Sequence, residues 1–95
     1  MLSDIDPDMD YEKIHEELHS YIIERDSFLC CICGQGGDEI HHIIFKSQGG
    51  TNRTTNLALL CRPCHGNQHG PTPTPDKKLF DQITRNEKRL RDQLS

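Results

Sequence analysis

The chain has 95 residues, of which 33% are hydrophobic, with no Trp and a formal net charge of −4; that is enough for one small domain with a thin apolar core. No apolar stretch is long enough to span a bilayer, and the opening "MLSDIDPDMD" has neither the basic nor the apolar region of a secretory signal, so a cytoplasmic chain with no membrane partner is expected. Five cysteines, an odd number for a reducing compartment, argue for metal ligation over a disulfide framework.

The charge is unevenly divided. Residues 1–29 carry nine acids against Lys13 and Arg25, a balance of −7, and Asp38 and Glu39 add two more negative charges. From Ile40 onward nine bases meet four acids, and no acid lies between Ile40 and Pro75. The acidity belongs to the front of the chain, and the remainder permits a phosphate-bearing partner.

In chain order, the first element is a helix predicted from Asp8 to Arg25, with Ile14, Leu18, Tyr21 and Ile22 on one stripe and Asp8, Asp10 and Glu12 at the positive end of its dipole. Its acidic side reads as a solvated face; the sharper alternative is a negative arm that shields or mimics a nucleic-acid site. His15 and His19, four apart, read as solvated surface of the same helix. A "CCICGQGG" turn follows, then a strand through "EIHHI", the loop "SQGGTNRTTN", a second strand "LALL", and a short helix opening near Arg62 in "CRPCHGNQHG". "PTPTP" is a stiff break. A second long helix is predicted over 76–94, with Leu79, Phe80, Ile83, Leu90 and Leu94 on its stripe and six bases mostly off it. The organisation is one α+β domain: an acidic helical segment at 1–27, a ββα unit at 28–70, and a Pro-rich break with a basic helix at 71–95.

Cys30 and Cys33 form one CxxC knuckle, and Cys61 and Cys64 form another. Two such knuckles present four thiolates at the corners of the tetrahedron that structural Zn2+ prefers, and a bound zinc contributes on the order of 10 kcal/mol or more to folding. Cys31 fits neither knuckle and reads as a small buried residue. The knuckles bring the strand bearing His41 and His42 beside the helix bearing His65 and His69, whose spacing of four places them on one face. Adjacent strand residues point to opposite faces, so His41 and His42 are expected to leave the backbone in different directions, and a purely structural role for His41 is the competing reading.

The segments "EIHHI", "GG", "NLALLC" and "CRPCHGNQH" resemble the HNH endonuclease family, the ββα-metal class closed by a four-cysteine zinc ribbon, over about Phe28 to Gly70. The resemblance implies that His42 is the general base, that Asn56 bridges backbone groups to hold the loop of that base, and that His65 ligates a catalytic divalent metal. His41 stands where relatives often carry a ligating aspartate, and His69 resembles a further ligand. Phe45 departs from the proline common at its position. Imidazole ligands suit zinc, nickel and other transition metals better than magnesium; Mg2+, Mn2+, Ni2+ and Zn2+ all stay open.

The expected activity is metal-dependent hydrolysis of DNA phosphodiester bonds to 5′-phosphate and 3′-hydroxyl ends, in a small protein of the kind phages and prophages carry. Lys46, Arg53 and Arg62 within the unit and Lys77, Lys78 and Arg85 on the last helix are the expected DNA contacts. The competing reading is a catalytically silent zinc-ribbon module that binds nucleic acid or protein. A homodimer and a larger phage or host nucleoprotein assembly are both open.

Overall fold

Leu57 to Leu60 is the axis of the fold, a strand with every residue buried. In the computed structural model, which describes residues 5–94 with the side chain of Leu94 outside the described residues, this strand (β2) pairs antiparallel with β1, Glu39–His42, in the register Glu39 to Leu60 and His42 to Leu57. A continuous apolar run fits a strand covered on both faces. Leu57 and Leu59 face Leu18, Tyr21 and Ile22 of helix α1, Glu16–Arg25, whereas Ala58 and Leu60 face Ile43, Cys30, Leu79 and Ile83. Helix α2 is Arg62–Gln68, and α3 is Asp76–Leu94. These helices and the two-stranded sheet make an α+β fold among the described residues. No described helix is long and apolar enough to cross a membrane.

The first helix begins at Glu16, eight residues later than its pattern predicts. Two local interactions and one distant one explain the difference. Asp6 Oδ1 accepts from Asp8 N at 2.9 Å, closing a turn around Pro7. His15 Nδ1 accepts from Leu18 N at 3.3 Å, so His15 caps the helix, while His19 is exposed as expected. Asp10 and Tyr11 are taken up by contacts to Asn52 instead of helical bonds. Residues 5–15 are therefore an arm, pinned by buried Ile5 at one end and the helix cap at the other.

Where α1 ends, Ser27 and Phe28 both adopt left-handed backbone, with φ of 58° and 64°. Non-glycine residues there cost ~1–3 kcal/mol each. A buried network offsets this strain. Arg25 Nε donates to Asp26 Oδ1 at 2.8 Å and Nη2 to Asp26 Oδ2 at 3.0 Å, both side chains having no exposed surface. Arg25 also reaches the carbonyl of Thr54 at 2.7 Å and that of Leu57. Asp26 accepts from Leu59 N at 2.9 Å, Asn86 Nδ2 at 2.9 Å and the Cys31 thiol at 3.3 Å. One ion pair thus ties α1 to β2, to α3 and to the first knuckle.

Candidate functional site

The two knuckles meet. The Sγ atoms of Cys30, Cys33, Cys61 and Cys64 lie within 4.8 Å of one another. The Cys33–Cys61 separation of 3.7 Å is far beyond a disulfide and close to the ~3.8 Å edge of a tetrahedron with ~2.3 Å metal–sulfur bonds. At Cys30, burial opposes the thiolate, but the N–H groups of Cys33, Cys61 and Ile32 outweigh it and hold the thiol down at about 7. The four residues fit a tetrahedral thiolate site. Cys31 is outside it: burial first, then Asp26 beside it, pushes its thiol up, which suits the protonated donor that it is.

β1 ends at His42, and its two histidines part there. His41 is buried and joins His65 and His69, one ring nitrogen from each lying within 4.8 Å of the others. His41 and His65 meet edge to face at a centroid distance of 5.1 Å. His69, at the C-cap of α2, stacks on Phe45 at 5.1 Å and 17°. Phe45 therefore holds the outermost imidazole. Burial, then the neighbouring His65 and His69, pushes the His41 imidazole down from 6.5 to about 4. A neutral ring with a lone pair is the form that binds a metal.

His65 is oriented by a residue that the sequence marks only as a charge. Its Nδ1 lies 2.8 Å from Glu39 Oε1, and Arg62 Nε lies 3.3 Å from Oε2. These hydrogen bonds, that from His65 foremost, hold the Glu39 carboxyl below its usual range. A carboxylate only accepts, so Nδ1 carries the proton and Nε2 is left with the lone pair, as in carboxylate–histidine–metal arrangements.

His41, His65 and His69 share a cleft of about 520 Å³ with His42, Phe45 and Lys46. His42 faces it from the other side of the strand end, with Nε2 2.6 Å from Asn52 Oδ1. The loop between the strands is held by Asn56, whose Oδ1 accepts from Ile44 N at 2.8 Å. Its Nδ2 donates to the carbonyls of Ile44 at 3.1 Å and Thr51 at 2.9 Å. The "GG" of the loop has its own steric reason: Gly49 has φ of 88°, and a Cβ on Gly50 would run into the Ile44 carbonyl.

Residues 30–70 match the model of the HNH endonuclease family. This stretch is similar to an HNH domain. The match takes in both knuckles, both strands and α2, and it covers less than half of the chain. A comparison with curated proteins finds no match.

The bases expected to contact DNA are scattered around the matched stretch. Lys46 is exposed on the cleft wall, and Arg62 adjoins it through Glu39. Arg53 is exposed in the loop. On α3, Lys77 pairs with Asp81 at 2.9 Å and Arg85 donates to Gln82 at 2.9 Å. Lys78 and Arg85 border a separate hollow beside Cys31 and Ile32.

Proposed function

We propose that this protein is a metal-dependent endonuclease that hydrolyses DNA phosphodiester bonds in the cytoplasm. The observation that carries this reading is the sharing of one cleft by His42 and the triad of His41, His65 and His69. Water attacking a phosphodiester must lose a proton near neutral pH, and His42, which lines the cleft, would take it. Asn56 keeps the loop that follows His42 in one path, so the base does not drift relative to the three ligands. His41, His65 and His69 would hold the divalent cation, and Lys46 would meet a neighbouring phosphate. When bound, such a cation supplies positive charge against the charge that grows on the scissile phosphate and the leaving oxygen.

The four cysteines would hold a structural Zn2+ that joins the two knuckles. The cation at the histidines is one of Mn2+, Ni2+, Zn2+ or Mg2+, with the all-nitrogen ligand set favouring the transition metals. Arg53, Lys77, Lys78 and Arg85 would add contacts along the duplex, screened strongly by salt. Helices α1 and α3, with the arm that precedes α1, would flank the ββα unit as parts of a single domain.

The test is a supercoiled-plasmid assay with purified protein and each cation in turn. Nicked or linear product that appears with added metal and vanishes with chelator is expected. DNA binding with no cleavage under any of the four cations would instead support the silent zinc-ribbon reading.

A further inference from the structure

Asn52 is an uncharged loop residue with 2% of its surface exposed, and each of its polar contacts leads elsewhere. Its Nδ2 donates to the Tyr11 carbonyl at 2.6 Å, its main-chain N donates to Asp10 Oδ1 at 2.8 Å, and its Oδ1 lies 2.6 Å from His42 Nε2. The Tyr11 carbonyl can only accept. The amide must therefore turn its NH2 toward the arm and its oxygen toward His42. An amide oxygen also only accepts, so His42 must bring a proton on Nε2, which leaves the lone pair of the neutral ring on Nδ1.

We propose that Asn52 is a positioning residue for His42, and that the N-terminal arm, through the Tyr11 carbonyl and Asp10, is the outer part of the active site that fixes it. The inference rests on the nuclease reading for its effect on rate, but the hydrogen-bond chain stands apart from that reading. An imidazole at a strand end can turn about two torsions, and nothing else among the described hydrogen bonds holds the His42 ring. Asn52 in turn is held from outside the matched stretch, forty-two residues back at Asp10 and forty-one back at Tyr11. The arm is itself anchored: the Tyr11 hydroxyl accepts from Asp6 N at 2.9 Å, and the Tyr11 ring packs edge to face on His15 at 5.1 Å. A positioned base is worth ~10²–10⁴-fold in rate, and releasing the ring forfeits part of that without changing how DNA binds.

The experiment uses the full chain labelled with 15N at histidine. The wild-type protein is expected to show a His42 Nε2–H resonance protected from solvent exchange. Asn52→Ala should lose that resonance and lower kcat by ~10-fold or more, with KM for DNA within about twofold and zinc content unchanged. Asp10→Ala, an exposed residue whose loss spares the core, should weaken the protection and lower kcat by a smaller factor. A wild-type spectrum in which His42 Nε2 carries no protected proton overturns the proposal, even if Asn52→Ala fails to fold. A folded Asn52→Ala with wild-type kcat overturns it as well. If the wild-type protein cleaves no DNA yet shows the protected proton, the nuclease reading fails and the arm–Asn52–His42 chain survives.

Discussion

Replacing Asp26 by alanine should be among the most damaging single changes in the chain. The substitution leaves Arg25 with its guanidinium fully buried, its close bidentate partner gone and only the longer 3.4 Å pair to Glu87 remaining. It also strips the acceptor from Leu59 N in the middle of β2 and from Asn86 Nδ2 on α3. Breaking a buried ion pair by removing one partner costs ~3–5 kcal/mol, and each buried donor left unpaired adds ~1–3 kcal/mol. A 95-residue chain has a total stability on the order of 5–14 kcal/mol. Asp26→Ala should therefore lose a third or more of it. With a urea m value of ~1–2 kcal/mol/M for a chain of this size, the midpoint should fall by on the order of 2 M. Urea titration at fixed free zinc and fixed pH checks this, since metal binding shifts apparent stability by mass action. Lys77→Ala, which breaks an exposed pair, serves as the control and should not move the midpoint measurably. A shift below ~0.5 M for Asp26→Ala with unchanged m would refute the idea that this network ties the elements together.

Other outcomes follow from the site. Glu39→Ala should weaken divalent-metal affinity at the histidines ~10–100-fold, as removal of a carboxylate behind a ligating histidine does, while zinc at the cysteines is unaffected; metal titration with the cysteine site filled reads both. Phe45→Ala removes the ring stacked on His69 and should lower the same affinity without unfolding the chain, by the same titration. His41 is held at about 4 against an ordinary 6.5, so between those values the unfolded chain binds more protons than the folded one. Stability from this residue is full above pH 6.5 and is lost as pH falls toward 4; the urea midpoint of the wild type should drop more steeply over that window than that of His41→Phe. Prolonged chelation that strips the cysteine site should unfold the protein, visible as loss of the helical circular-dichroism signal.

The elements that short-range pattern determines were legible in the sequence. The CxxC knuckles, β2 as an apolar run and α3 over 76–94 needed only spacing and the Pro-rich break. The triad of His41, His65 and His69 needed one further step, that the knuckles bring strand and helix together. What was not legible depends on tertiary partners. Asp10 and Tyr11 carry a helical pattern, yet Asn52 claims their acceptors, so α1 starts late. Asn52 sits in a Gly- and Thr-rich loop where asparagine ordinarily marks a turn, and Glu39 counts as one charge among many until His65 is beside it. Asp26 closes a run of acids that reads as a solvated face. Asp8, Asp10, Glu12 and Glu16 are exposed as that reading expects, but Asp26 is buried by Arg25 next to it.

The most direct test of the account is the rate of plasmid cleavage by His42→Ala beside the wild type, with zinc content and divalent-metal binding at the histidines shown to be equal in both. A loss of ~10²–10⁴-fold with both metal sites intact is the predicted result. Equal rates in the two proteins would contradict it, because the cleft would then be cutting DNA without the base proposed for it.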